Sequence, residues 1–236
     1  MIKTALITGA SRGIGRETAL KLAVGFNYQI IAISRNAAQL QSLKEEVEAL
    51  GGKIIILTLD LLAQNLNPVN DLFKEQKITA LDVLINNAGF LVNKKLSDLQ
   101  HKDLINSYTV NAIAPLLLVQ QLLPFLKNAK RAHIVNISSM GGFQGAAKFP
   151  GLVAYSSAKA ALVCITECLA EELKSTNISC NCLCLGSVDT EMLKEAFPGY
   201  QAPVSAKDMA EYISRFANEA HRVMNGKIIP VALSTP

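Results

Sequence analysis

The sequence has no dense basic stripe, no apolar run as long as a membrane span, and no linker-like or low-complexity stretch. Each absence removes a class of function. Lys and Arg are spread along the chain and the net charge is only +4, so the electrostatic footprint of a nucleic-acid binder is missing. With neither a span-length run nor a signal peptide visible, no membrane association is expected, and a cytoplasmic location is the default. Metal-ligand patterns are also lacking. Cys180, Cys182 and Cys184 alternate along a strand-like run, and Cys164 and Cys168 share a helix face, but no histidine or second cysteine pair joins them at ligand spacing. All five cysteines are better read as small buried hydrophobes in a reducing compartment, and no metal site is expected.

What the chain does have is apolar material. Half of its 236 residues are hydrophobic and 18% are charged, enough for the core of one large domain. Strand-like and helix-like segments alternate from end to end. Strands are expected at Lys3–Thr8, Gln29–Ser34, Lys53–Leu59, Leu81–Ile85, Ala132–Ile137, Ile178–Leu185 and Lys227–Val231. Helices are expected from Gly15 to about Val24, and over Leu40–Leu50, Pro68–Gln76, His101–Lys127, Val153–Ser175 and Ser205–Glu219. That alternation implies an α/β fold: residues 1–236 as a single domain with one parallel, doubly wound, seven-stranded sheet flanked by helices.

Several motifs fall where such a sheet would end. Gly9-Ala10-Ser11-Arg12-Gly13-Ile14-Gly15 lies between the first strand and the first helix, the arrangement that offers backbone N–H groups and a helix N-terminus to a phosphate. Gly9 would allow the tight turn, Gly13 a close pyrophosphate, and Gly15 close packing of the helix. Ser34-Arg35 closes the second strand, where an acidic residue would select an unphosphorylated ribose. A 2′-phosphate needs a donor and a cation; Arg35 supplies both, with Arg12 as a second cation, unless both are solvated surface arginines. Asp60 ends the third strand and either meets an adenine amino group or caps the following turn. Asn86-Asn87-Ala88-Gly89 follows the fourth strand, as an ordinary turn or as the border of a ligand crevice. Asn111 stands among apolar residues, as a helix kink, a satisfied core amide, or the holder of an ordered water.

The pair Tyr155 and Lys159 shares one helix face, one turn apart. A free tyrosine ionises near pH 10, roughly 4 kcal/mol from neutrality. Burial would raise that value further, whereas a close cation such as Lys159 could lower it. Alone, the spacing equally describes a solvated face.

Taken in order, the glycine turn, Asn86-Asn87-Ala88-Gly89, Asn111, Ser139, Tyr155 and Lys159 make the chain resemble the short-chain dehydrogenase/reductase family over about residues 2–231. The resemblance implies a single-domain Rossmann oxidoreductase. It implies Tyr155 as proton donor and acceptor, and Lys159 as the residue that lowers the phenol's pKa and binds the nicotinamide ribose. Ser139 would hydrogen-bond the reacting carbonyl, with Ser138 as the alternative, and Asn111 would hold a water in the relay. By the same resemblance, Gly9, Ser11, Arg12, Gly13, Ile14 and Gly15 form the cofactor turn, and Asp60 with Leu61 meets the adenine. Asn87, Ala88 and Gly89 lie beside the adenosine ribose, while Gly186, Val188 and Thr190 lie at the carboxamide and phosphate. Arg12, Ser34 and Arg35 resemble the NADP(H)-preferring branch. A homodimer or homotetramer through the helices of His101–Lys127 and Val153–Ser175 is also implied. The pattern departs from the family at an insert near Lys148–Gly151, at Leu185 where a proline is usual, in a short Glu191–Pro203 lid, and in the tail. NADP(H)-dependent reduction of a small-molecule carbonyl to an alcohol is therefore expected. A catalytically silent cofactor-binding regulator is the alternative, and epimerisation or dehydration on the same fold a third.

Overall fold

A computed structural model describes residues 2–63 and 65–233; the first residue and the last three of the expected 1–236 domain lie outside them. The elements in chain order are β1 (Lys3–Thr8), α1 (Gly13–Gly25), β2 (Tyr28–Ser34), α2 (Ala37–Ala49), β3 (Lys53–Thr58), α3 (Asn67–Glu75), β4 (Val83–Asn86), α4 (His101–Tyr108), α5 (Ala114–Asn128) and β5 (Ala132–Ser139). They continue with α6 (Val153–Glu172), β6 (Ile178–Leu185), β7 (Val188–Asp189), α7 (Glu191–Ala196), β8 (Val204–Ser205), α8 (Ala206–Glu219) and β9 (Ile228–Val231). The main sheet has the order β3-β2-β1-β4-β5-β6-β9, and its six pairings are all parallel.

Successive residues of a strand face opposite sides, and β1 shows the consequence. Ala5 and Ile7 pack with Leu22 of α1, Leu43 of α2 and Ile213 of α8. Leu6 points the other way, into the cluster holding Phe73 of α3, Leu118 and Leu122 of α5, and Ala170 of α6. Both faces are thus covered by helices, which is why the strands read as near-continuous apolar runs. From β1 the chain crosses to β2 on one side, and later to β4 on the other. At such a reversal the loops beyond the carboxyl ends diverge and leave a crevice.

Three expectations need correction. The His101–Lys127 helix is interrupted by a π-helical turn at Thr109–Ile113, because Asn111 is drawn into hydrogen bonds outside the helix, described below. Cys180, Cys182 and Cys184 are buried, but Cys164 and Cys168 are exposed; they lie on the face of α6 turned away from the sheet. The helical stretches His101–Asn128 and Val153–Glu172 are long and apolar enough to cross a membrane, against expectation. Each lays a buried stripe on the sheet, Leu118, Leu122 and Leu126 in one and Ala158, Leu162 and Ala170 in the other, and a helix packed in a core has that same length and apolar character. The paired β7 and β8 and the short α7 were not expected at all.

Far from the crevice, His133 of β5 is fully buried, with Nδ1 3.0 Å from the Ala217 carbonyl and Nε2 3.0 Å from the Asn181 amide nitrogen. A neutral ring satisfies both, donating at Nδ1 and accepting at Nε2. Burial pushes its pKa down to about 4. The unfolded chain therefore binds this proton first as pH falls, so stability present above about pH 6.5 is lost towards pH 4, by up to about 3 kcal/mol. We expect the melting temperature to fall across that window, and to fall less in His133→Gln; an unchanged slope in the variant would assign the loss to other groups.

Candidate active site

A cavity of about 890 Å³ lies across the carboxyl ends of the strands. Its floor is the glycine turn. Gly9 has φ +67°, and a Cβ there would stand 2.8 Å from the Ala88 Cα; a Cβ on Gly15 would stand 2.3 Å from the Gly9 carbonyl oxygen. The turn is therefore pressed against the loop after β4, and α1 against the turn, while Ser11–Gly15 line the cavity. Hydrogen bonds hold this packing. The Thr8 hydroxyl accepts from the backbone N–H groups of Asn87 (3.1 Å) and Ala88 (3.0 Å). The Asn87 side-chain amide donates to the Thr8 (3.0 Å) and Gly9 (3.3 Å) carbonyls. That nitrogen braces the turn, leaving the rest of Asn87, with Ala88 and Gly89, to line the crevice.

At one end of the cavity the Ser34 hydroxyl donates to Ser11 Oγ at 2.8 Å, tying β2 to the turn. Arg35 beside it is exposed. Arg12 is not free: its Nη1 lies 2.8 Å from Glu195 Oε1 of α7. Asp60 Oδ1 accepts from the Leu62 N–H at 3.0 Å, so Asp60 does cap the following turn while also lining the cavity beside buried Leu61. Towards the other end, Leu185 continues the β6 ladder, its carbonyl accepting from the Met140 N–H, and the Gly186 N–H donates to Val231. Val188 is buried in β7. Thr190 caps α7 by accepting from the Leu193 N–H, and its methyl lies against Gly13.

Tyr155, Lys159 and Ser139 all line this cavity. Lys159 is only 3% exposed, and its Nζ donates to the Ile137 carbonyl at 2.7 Å. The same nitrogen lies 5.9 Å from the centre of the Tyr155 ring. Ser138 is buried and its hydroxyl donates to the Lys159 carbonyl at 2.9 Å, so it braces α6. Ser139 is partly exposed and accepts from the Gly141 N–H at 3.2 Å, which leaves its own proton for a ligand. The geometry thus favours Ser139 as the serine facing the cavity.

Asn111 is fully buried and does not line the cavity. Its amide nitrogen donates to the Phe90 carbonyl (2.8 Å) and to the Ser107 carbonyl (2.9 Å), and its oxygen accepts from the Phe90 N–H (3.1 Å). It therefore clamps the loop after β4, with the π-helical turn as the backbone adjustment that lets it reach.

Electrostatics in the pocket run against one expectation. Burial holds the Tyr155 phenol up at about 12, with hydrogen bonding to Ser139 pulling the other way. Lys159 does not lower it here, since its ammonium is directed to the Ile137 carbonyl instead. Burial pushes Lys159 down to about 8, with Cys182 and Cys184 opposing.

Several supporting residues were missed in the sequence. Asn86 donates to Asn136 (2.8 Å), Asn136 to Thr166 (2.9 Å), and Thr166 to the Leu162 carbonyl (2.8 Å). This buried polar ladder joins β4, β5 and α6. Ser107 donates to the Ala154 carbonyl at 3.0 Å, fixing α4 to the start of α6. The Asn93 amide reaches the Ala196 carbonyl (2.9 Å), and Tyr200 meets Ser187 (3.0 Å), so α7 is fastened across the cavity mouth. A polar Asn136 inside an apolar strand was a visible clue, because a buried amide demands partners.

Comparison with known proteins gives the family and the fold. A family model described as short chain dehydrogenase matches residues 3–201. An L-xylulose reductase of Caenorhabditis elegans is 34% identical over 94% of this chain and 86% of its own length. A 3-oxoacyl-[acyl-carrier-protein] reductase of Synechocystis is 31% identical over 80% of this chain and 76% of its own. A short chain dehydrogenase of Burkholderia cenocepacia, crystallised in complex with NADP, superposes with a TM-score of 0.85 at 27% identity, covering 98% of this chain and 96% of that one.

A buried cation with a depressed pKa costs stability. Because the unfolded lysine holds its proton more tightly, Lys159 opposes folding at neutral pH by an amount on the order of 3 kcal/mol, less what its hydrogen bond returns. Lys159→Met should therefore melt several degrees above the parent at pH 7; a lower melting temperature contradicts this electrostatic reading.

Proposed function

The chain belongs to the short-chain dehydrogenase family, and from that premise we propose that it reduces a carbonyl to a secondary alcohol with NADPH, using Tyr155 as the acid. The observation that carries the reading is the convergence of Ser139, Tyr155 and Lys159 on one cavity that also runs over the glycine turn. The residues present fit a phosphorylated dinucleotide: a turn too closely packed for side chains at Gly9 and Gly15, and two arginines at one end.

The bound cofactor supplies the hydride that the carbonyl carbon receives. The protein supplies orientation and the proton. Ser139 donates a hydrogen bond to the carbonyl oxygen and sets its position. Tyr155, held protonated by burial at neutral pH, gives its phenolic proton to that oxygen as negative charge develops on it. At pH 7, about one unit below the value near 8 of Lys159, that amine is largely charged and, on turning from the Ile137 carbonyl, stabilises the phenolate left behind and returns a proton to it. In the oxidative direction the same cation favours the phenolate. Asn111 acts by fixing the Phe90 loop beside these groups, and any water it holds belongs to that same relay.

For the cofactor, Gly9, Ser11, Gly13, Ile14 and Gly15 cradle the pyrophosphate with backbone N–H groups. Arg12, Ser34 and Arg35 take the 2′-phosphate. Asp60 and Leu61 flank the adenine, Asn87, Ala88 and Gly89 the adenosine ribose, and Gly186, Val188 and Thr190 the carboxamide side. Tyr155 and Lys159 also bind the nicotinamide ribose. The substrate end is walled by Phe149, Leu152, Met192, Phe197 and Tyr200, which suits an apolar ketone or a 3-oxoacyl group. A homodimer or homotetramer would cover Ile105, Ile113, Leu116 and Val153, which are exposed on α4, the turn after it, α5 and α6. No observation favours a silent cofactor-binding protein, since both acid–base side chains are present and face the cavity.

A carbonyl panel of ketones and 3-oxoacyl thioesters, run with NADPH and with NADH, tests this reading together with Tyr155→Phe. NADPH should be preferred at least about tenfold in kcat/KM, an arginine–phosphate contact being worth about 1.4 kcal/mol or more. Tyr155→Phe should lose at least about a hundredfold in kcat while binding NADPH nearly as well. Near-parental turnover in the variant ends the proposed mechanism, and equal use of the two cofactors ends the phosphate assignment.

A further inference from the structure

Glu195 stands at an unusual place for a carboxylate. It lies on α7, lines the cavity together with Arg12 and Arg35, and its Oε1 is 2.8 Å from Arg12 Nη1. Arg35 acts on it as well, both arginines holding its carboxyl below the usual range, with Arg12 the stronger. An anion of this chain therefore sits against one of the two cations that, on the reading above, receive the 2′-phosphate, and within the field of the other. Elsewhere α7 is fastened by Asn93 to Ala196 and by Tyr200 to Ser187, contacts on the substrate side that a 2′-phosphate does not touch. On the cofactor side the Arg12–Glu195 pair joins α7 to the glycine turn, beside the Thr190 methyl that lies against Gly13.

We infer that Glu195 occupies the seat of the 2′-phosphate, so that NADP(H) enters by displacing it and loosens α7 in doing so. The displacement is favourable because a phosphate monoester carries about −1.5 to −2 charges and more acceptor oxygens than one carboxylate. It is also easily made: the side chains are 35% and 65% exposed, and ion pairs in water are weak. An unphosphorylated dinucleotide has no group to exchange and leaves the pair closed. Glu195 is thereby a specificity-determining residue that discounts NADP(H) affinity without touching NAD(H), and it links cofactor arrival to the mobility of the lid over the substrate.

Isothermal titration of the cofactor-free protein with 2′,5′-ADP and with 5′-AMP tests the inference, in the parent, Glu195→Gln, Arg12→Met and the double variant. The surface pair predicts 2′,5′-ADP binding about two- to fivefold tighter in Glu195→Gln, with 5′-AMP unchanged and the gain absent when Arg12 is also replaced. Equal or weaker 2′,5′-ADP binding in Glu195→Gln, while Arg12→Met still weakens it, overturns the inference but keeps the phosphate assignment. If Arg12→Met binds 2′,5′-ADP as well as the parent, the assignment falls and takes the inference with it. Amide exchange across residues 191–200 should quicken with 2′,5′-ADP and not with 5′-AMP; no such difference overturns the link to the lid.

Discussion

A lysine ammonium kept out of water by the fold, with one backbone carbonyl as its anchor, governs the arrangement of the whole site. Nζ of Lys159 donates to Ile137 at the end of β5, and the carbonyl of the same lysine accepts from Ser138 in the same strand. Helix α6 is therefore fastened to β5 at both the head and the stem of this residue. An isolated buried charge is costly, and here the partner is a neutral carbonyl, so the amine's proton is loosely held. That is a poor bargain for stability and a useful one for chemistry, because a lysine titrating near neutrality can lend and recover a proton.

The remaining architecture keeps that amine and the Tyr155 phenol at the mouth of the sheet. The Asn86–Asn136–Thr166 ladder sets α6 against β4 and β5 from inside the core. Ser107 and Asn111 hold the first turn of α6 and the Phe90 loop in step. Thr8 and Asn87 brace the glycine turn from the next strand over. Polar side chains that look like ligand contacts thus serve first as spacers between loops. Ser139, Tyr155 and Arg35, by contrast, line the cavity itself.

How much of this could be read from residues alone depended on the range of the forces. β1 and β6 begin and end where expected because a parallel strand buried on both faces is apolar throughout and stops at a turn residue. The break between α4 and α5 was hidden, since it arises from Asn111 reaching a loop 21 residues away and not from local propensity. Cys164 and Cys168 were misplaced for a related reason: an Ala-rich helix does not declare which side meets the sheet. The two-residue strands β7 and β8 carry no periodicity to detect. Motif spacing singled out Ser139, Tyr155, Lys159 and the glycine turn, which line one cavity, but not their electrostatic state. That state depends on burial and on where one amine points, and neither is written in the spacing. The Arg12–Glu195 pair, 183 residues apart in the chain, lay beyond any sequence pattern.

The ionisation of Lys159 itself is the most direct check, by NMR titration of protein carrying 13Cε-labelled lysine, with the Lys159→Met spectrum assigning the resonance. A lysine that loses its proton near pH 8, set apart from the surface lysines, is the predicted result. A Lys159 that titrates near its ordinary value of 10.5 would contradict the account of the site.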